Sequence, residues 1–113
     1  MQDQIQLLID ILLDKNARED ERSDAAIDLG IHKDPRALQP LIEVASNPKE
    51  DDTILDNCAE SIGEIFIGMN QFNEHFFRKI TPYAQKIVFH IVMARNPNLI
   101  DKELITELKK NLS

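Results

Sequence analysis

Residues 25–30 read AAIDLG, and 33 positions later residues 58–63 read CAESIG. The same offset aligns all of residues 5–30 with residues 38–63. The pairs identical at this offset are Gln6/Gln39, Leu8/Leu41, Ile9/Ile42, Ala26/Ala59 and Gly30/Gly63. A fixed period of this size is typical of repeat proteins built from helical hairpins. We therefore predict an all-α fold, a small right-handed α-solenoid.

Apolar residues at helical spacing, separated by turn residues, predict about six helices in a single domain, residues 1–113. Asp34-Pro35 and Thr81-Pro82 each place a capping residue before a proline, which favours a helix start. The predicted units span residues 3–33, 35–68 and 73–96, and a capping helix spans residues 100–111. The third unit loses the 33-residue register, as terminal units of solenoids often do.

The motif that runs from the first unit into the second resembles a HEAT repeat, of the short variety also found in phycobilin lyases. It comprises residues 25–30 followed by residues 34–42, DPRALQPLI. The second copy keeps Cys58-Ala59 and Ile62-Gly63 but lacks the Asp-Pro-Arg-Ala turn. The resemblance implies the fold, and it implies that the second helix of each unit lines a concave face. It does not imply one function, because such arrays serve unrelated tasks.

Charge divides the chain into two parts of opposite sign. Residues 1–64 contain 16 acidic and 6 basic residues, a formal charge of −10, whereas residues 65–113 contain 4 acidic and 7 basic residues, a formal charge of +3. An acidic repeat region repels nucleic acid and membrane headgroups and favours a basic protein partner. A lone cysteine, no basic N-terminal leader and no long apolar run predict a cytoplasmic protein.

Two rows of carboxylates are the candidate partner-binding residues. The fourth predicted helix carries four acids at successive i,i+4 steps, and the second carries three at similar spacing. Together with one aromatic residue they form the predicted site: Glu21, Asp24, Asp28, Asp52, Asp56, Glu60, Glu64 and Phe72. By the HEAT resemblance both rows would line one groove wall. The alternative is a solvated face that only aids solubility.

The cysteine, the histidines and most of the aromatic residues are predicted to have structural roles. Cys58 takes the place of Ala25 in the second copy and is expected to be a small buried residue, not a nucleophile. The three histidines, His32, His75 and His90, are widely separated and no two of them are at i,i+4 spacing, so we predict no metal site and no cofactor. Most of the aromatic group near residues 66–83 is expected to fill the core, with Phe72 its most exposed member and a candidate anchor for a partner.

These features favour a non-catalytic protein-binding module. An acidic binder of this size resembles the immunity proteins with which bacteria neutralise basic nuclease toxins, and its carboxylates would then cover the toxin's cationic surface. A generic HEAT-like adaptor between two proteins is the first alternative. A small lyase or modifying enzyme is the second, although the lysine-modifying iron enzymes among HEAT-like arrays use His-Glu dipeptides and this chain has only the reversed Glu74-His75.

Overall fold

The computed structural model describes residues 3–112, and within that range it contains seven α-helices and no strand. The predicted domain of residues 1–113 includes residues 1, 2 and 113, which lie outside the described residues. The helices are α1 (Gln4–Leu13), α2 (Glu19–His32), α3 (Leu38–Ala45), α4 (Asp52–Met69), α5 (Glu74–Lys79), α6 (Pro82–Arg95) and α7 (Lys102–Asn111). The all-α class is confirmed, with one helix more than the predicted six.

Short polar side chains begin most of these helices. The side chains of Asp3, Asp51, Asn73, Thr81 and Asp101 each accept a hydrogen bond from a backbone N–H in the first turn that follows. Asp34 does the same before the 3₁₀ turn Pro35–Ala37, which leads into α3. The Asp-Pro and Thr-Pro signals therefore mark real helix starts, and Asn73 likewise caps α5 as a separate short helix.

The repeated apolar positions form the core. Both members of each of the pairs Ala25/Cys58, Ala26/Ala59, Leu29/Ile62, Leu8/Leu41 and Ile9/Ile42 are buried and belong to one hydrophobic cluster. This cluster continues through Phe66 and Val88 to Leu104 and Leu108, so the third unit and α7 share the core of the first two. The apolar positions that recur in the 33-residue repeat are thus the positions that are buried in both copies.

The helices pack in the order in which hairpins follow along the chain. α1 contacts α2, α2 contacts α4, and α4 contacts both α3 and α6. The molecule measures 44 × 28 × 20 Å along its principal axes. The right-handed solenoid inferred from the repeat stays a prediction.

Glycines lie where α2 packs against α4 and where α4 packs against α6. A Cβ built on Gly30 of α2 would lie 2.8 Å from the Ser61 Cβ of α4, which is closer than two carbon atoms can pack. A Cβ on Gly63 of α4 would lie 3.1 Å from the Ile91 Cγ2 of α6. Gly30 and Gly63 occupy the same position in the two copies of the repeat, and the absence of a side chain at each lets α2, α4 and α6 pack closely.

Candidate functional site

A groove runs along the surface between α2 and α4. Its first half has a volume of about 350 Å³ and is lined by Glu19, Asp20, Ser23, Asp24, Ile27, Asp51, Thr53 and Asn57. Its second half has a volume of about 380 Å³ and is lined by Ile27, Gly30, Ile31, Lys33, Asn57, Glu60, Ser61 and Glu64. Because Ile27 and Asn57 belong to both halves, the two cavities form one continuous surface, here called the α2–α4 groove.

The two helices run parallel along this groove. Low-numbered residues of α2 face low-numbered residues of α4 in the first half, and Gly30 faces Ser61 in the second. The Ser61 hydroxyl donates a 2.5 Å hydrogen bond to the Ala26 carbonyl oxygen, across the contact that Gly30 makes possible. This buried bond holds the two walls of the groove at a fixed spacing.

The α2 wall presents two exposed isoleucines. Ile27 is 41% exposed and Ile31 is 69% exposed, and they lie one helical turn apart. Neither isoleucine is among the site residues predicted from the sequence. The offset of 33 offers the signal, because it places Ile27 over Glu60 and Ile31 over Glu64, so that two surface positions are apolar in the first copy and acidic in the second. In its second half the groove therefore has isoleucines on the α2 wall and carboxylates on the α4 wall.

The four acids of the α4 row lie in four different environments. Glu60 is exposed at the groove, and no ion pair reaches it from residues 3–112. Glu64 also lines the groove but is paired with Lys33, at 3.7 Å between Nζ and Oε2, and with Arg95 of α6. Asp56 lies towards α6, where it accepts a hydrogen bond from the Tyr83 hydroxyl. Asp52 is exposed but does not line the groove.

The acidic row of α2 is also divided. Asp24 lines the first half of the groove, whereas Glu21 and Asp28 are exposed outside it. The Glu21 carboxylate lies 3.5 Å from the Arg18 Nε. Of the two rows, only Asp24, Glu60 and Glu64 line the α2–α4 groove, Asp24 on its α2 wall and the two glutamates on its α4 wall. The structure adds three acids that the i,i+4 pattern did not select: Glu19, Asp20 and Asp51.

The expectation that Phe72 is the most exposed aromatic residue is wrong. Phe72 is half-buried, and its ring packs edge-to-face on Phe66, with 5.4 Å between the ring centroids, and against Phe77 at 5.0 Å. These contacts form because the turn after α4 folds Phe72 back over the end of that helix. Tyr83 is the exposed member of the group, at 46%. Its hydroxyl is held by Asp56, which raises the pKa of the phenol.

The groove carries binding groups more than reactive ones. Cys58 is buried as predicted, and burial raises the pKa of its thiol to about 12, so it is protonated at neutral pH. Arg18 binds Asp20 and lowers the pKa of that carboxyl, which is therefore ionised at neutral pH.

Within residues 3–112 no group of three or more His, Cys, Asp or Glu side chains is placed to hold a metal ion. No helix in that range is long and apolar enough to cross a membrane.

In comparisons with known proteins, no protein-family model matches the chain, no curated protein matches its sequence, and no solved structure matches its fold.

Proposed function

We propose that this chain is a non-catalytic protein-binding module whose α2–α4 groove binds a basic protein. The observation that carries the proposal is the pair of exposed isoleucines, Ile27 and Ile31, facing the exposed carboxylate of Glu60 across the groove. Side chains of this kind supply the two parts of a protein interface: an apolar centre that excludes water and charged groups around it that select the partner.

The isoleucines supply affinity in this proposal. Complete burial of an exposed aliphatic side chain contributes roughly 1.5–3 kcal/mol, and Ile31 has most of its surface still to bury. Because α2 holds the two residues one turn apart on a rigid helix, little conformational entropy is lost on binding. A partner with an apolar residue at its surface would therefore gain from covering this wall.

The carboxylates supply selectivity and speed of association. Residues 1–64 have a formal charge of −10, and Asp24 and Glu60 are exposed at the groove with no ion pair from residues 3–112. A cationic partner is attracted by such a surface over roughly a Debye length, about 8 Å at physiological salt. An acidic or neutral protein would leave these carboxylates partly desolvated and unpaired, which disfavours it.

Within this class we propose a bacterial immunity protein that acts in the cytoplasm. The basic partner would be a nuclease toxin, whose nucleic-acid-binding surface is cationic by necessity. An acidic groove that covers that surface would block access of RNA or DNA without any chemistry of its own.

A second candidate function is an adaptor between two proteins. It is favoured by an apolar cavity of about 330 Å³ between α6 and α7, lined by Phe89, His90, Met93, Leu108, Lys109 and Leu112. This cavity lies in the part of the chain with a formal charge of +3. A small lyase or modifying enzyme is the third candidate, and it would need a bound small molecule in one of these cavities.

The test uses the product of the gene adjacent to the one that encodes this chain. If that gene encodes a large secreted protein, its C-terminal domain is purified and titrated calorimetrically with this chain, and its nuclease activity is measured in parallel. The informative variants are Ile31→Asp and Glu60→Lys, which alter the groove. Glu103→Lys on α7 is the control, because it makes the same charge change at an exposed residue outside the groove.

We expect binding at one to one, loss of nuclease activity on binding, and weakening by both groove variants but not by Glu103→Lys. Binding that leaves the nuclease active would favour the adaptor. Absence of binding, or equal weakening by all three variants, would contradict the proposal.

A further inference from the structure

The first half of the α2–α4 groove contains a buried hydroxyl without a hydrogen bond. Ser23 is only 6% exposed, and its Oγ has no partner among residues 3–112. A serine inside a helix commonly donates to the carbonyl four residues earlier. Ser23 makes no such bond, and an unsatisfied buried hydroxyl is unfavourable unless a ligand or a partner completes it.

The groups around Ser23 are nearly all hydrogen-bond acceptors. Four carboxylates line this half of the groove, and two of them are already engaged. Asp20 is bound by Arg18, and Asp51 caps α4 by accepting from the Thr53 and Ile54 N–H groups at 3.0 and 3.2 Å. Glu19 and Asp24 are exposed and form no ion pair within residues 3–112. The lining therefore offers two available negative charges in the same half of the groove as the Ser23 hydroxyl.

Neutral groups complete the subsite. Thr53 and Asn57 contribute further oxygen acceptors from α4, and Ile27 contributes an apolar surface from the α2 wall. A guanidinium group matches this set, because it carries five N–H donors in one plane and no acceptor. Its three-carbon stem packs readily on an aliphatic side chain such as that of Ile27. An ammonium group has only three donors at a single point and would satisfy fewer of these acceptors.

We propose that the first half of the groove is a subsite for an arginine side chain of the partner. The stem lies on Ile27, the guanidinium pairs with Asp24, and a χ1 rotation turns the Ser23 hydroxyl to accept one of its N–H groups. An apolar residue of the same partner, one helical turn away from the arginine, covers Ile31 in the second half. This inference rests on the proposed function, since it names the side chain by which the basic protein is recognised.

The test uses a small probe, N-acetyl-arginine methylamide, titrated into the ¹⁵N-labelled full chain while the backbone amide resonances are followed by NMR. N-acetyl-citrulline methylamide is the matched neutral probe, because it replaces the guanidinium with a urea of the same shape. We expect saturable shifts at Asp24, Ile27 and Asn57 with the arginine probe and none with the citrulline probe.

Variants then test the individual contacts. Ser23→Ala removes a hydroxyl that has no partner, so the folded state keeps its hydrogen bonds, and we expect the dissociation constant for the arginine probe to rise about threefold. Asp24→Asn is expected to raise it about tenfold, because a charge-assisted bond is lost. Glu103→Gln on α7 makes the same kind of charge change outside the groove and should leave the dissociation constant unchanged.

Two results would overturn the subsite: equal shifts with both probes, or shifts spread over the acidic surface and insensitive to Ser23→Ala. The failure of this inference and that of the proposed function can be told apart. A basic protein that binds and is lost with Ile31→Asp, while the arginine probe does not bind at Ser23, refutes the subsite alone. A probe that binds at Ser23 in a chain that binds no basic protein refutes the proposed function alone.

Discussion

Arg22 and Glu50 form a bidentate ion pair inside the protein, with Nη1–Oε1 and Nη2–Oε2 distances of 3.1 and 3.0 Å. Their side chains are only 8% and 11% exposed. Arg22 Nε also donates a 2.9 Å hydrogen bond to the Leu12 carbonyl oxygen at the end of α1. One guanidinium thus ties α1, α2 and the α3–α4 connection together, behind the wall that carries the groove.

Glu50→Ala should therefore destabilise the fold by roughly 3 kcal/mol, because it leaves a buried guanidinium without its counter-charge. Urea unfolding followed by circular dichroism measures this loss. The double variant Arg22→Met/Glu50→Leu should lose less than the single variant, since no buried charge remains uncompensated. Arg18→Ala, which removes an exposed pair with Asp20, is the control and should leave the midpoint unchanged. A single variant as stable as the wild type would show that the buried pair is not a structural tie.

Gly30→Ala should destabilise the protein by about 1–3 kcal/mol, because the added methyl group overpacks the contact between α2 and α4 at Ser61. Gly68→Ala is a matched control at another helical glycine. There the new Cβ meets only the Lys33 side chain, 3.3 Å from its Cδ and 3.5 Å from its Cβ, and a small shift of this exposed side chain relieves the contact. We therefore expect a gain of roughly 0.5–1 kcal/mol from the better helix propensity of alanine. Thermal or urea denaturation of the two variants should move in opposite directions. If Gly30→Ala stabilised the protein as Gly68→Ala is expected to do, the close approach at Gly30 would be contradicted.

Cys58 should react with thiol reagents only when the protein unfolds. Burial raises the pKa of its thiol to about 12 from 9.0, so at pH 8 the folded protein presents a protonated and inaccessible sulfur. Labelling with a chromogenic disulfide should be slow in buffer and should accelerate with urea in step with unfolding. Because the folded pKa is raised, the stability that this thiol contributes is complete below pH 9 and is lost as the pH rises towards 12. Rapid labelling of the native protein would refute the buried placement.

Arg36 should set the acid dependence of the contact between α1 and the start of α3. Its guanidinium hydrogen-bonds the carboxylates of Asp3, at 2.7 Å, and Asp34, at 2.8 Å, and it lowers the pKa of both from 3.8. Because these folded-state values are lowered, the stability they contribute is present above about pH 4 and is lost as the pH falls through the lowered values. In Arg36→Gln the Asp3 pKa should return towards 3.8, measurable by ¹³C NMR of the carboxyl carbon.

The Asp34 pKa should return only in part in that variant, because Asp34 also accepts from the backbone N–H of residue 36, which any residue there supplies. The slope of stability against pH should flatten below pH 4. An Asp3 pKa that does not move in Arg36→Gln would mean that this ion pair is absent in solution.

The sequence by itself determined the helices and the core. Capping residues such as Asp34 and Thr81 act on the backbone of their own first turn, and the apolar period reflects which face of one helix is buried, so both signals are local and readable from the chain. The 33-residue repeat likewise indicated which positions are buried in both copies.

Only the tertiary structure decided the surface. Whether Asp56 stays available or binds Tyr83, whether Glu64 is neutralised by Lys33 and Arg95, and whether Phe72 is exposed all depend on what the neighbouring helices bring alongside. The same holds for the exposure of Ile31 and for the missing partner of Ser23. Helical spacing places residues on one side of one helix, but the angle and distance at which helices pack set which of those residues meet, and that geometry depends on residues far apart in the chain.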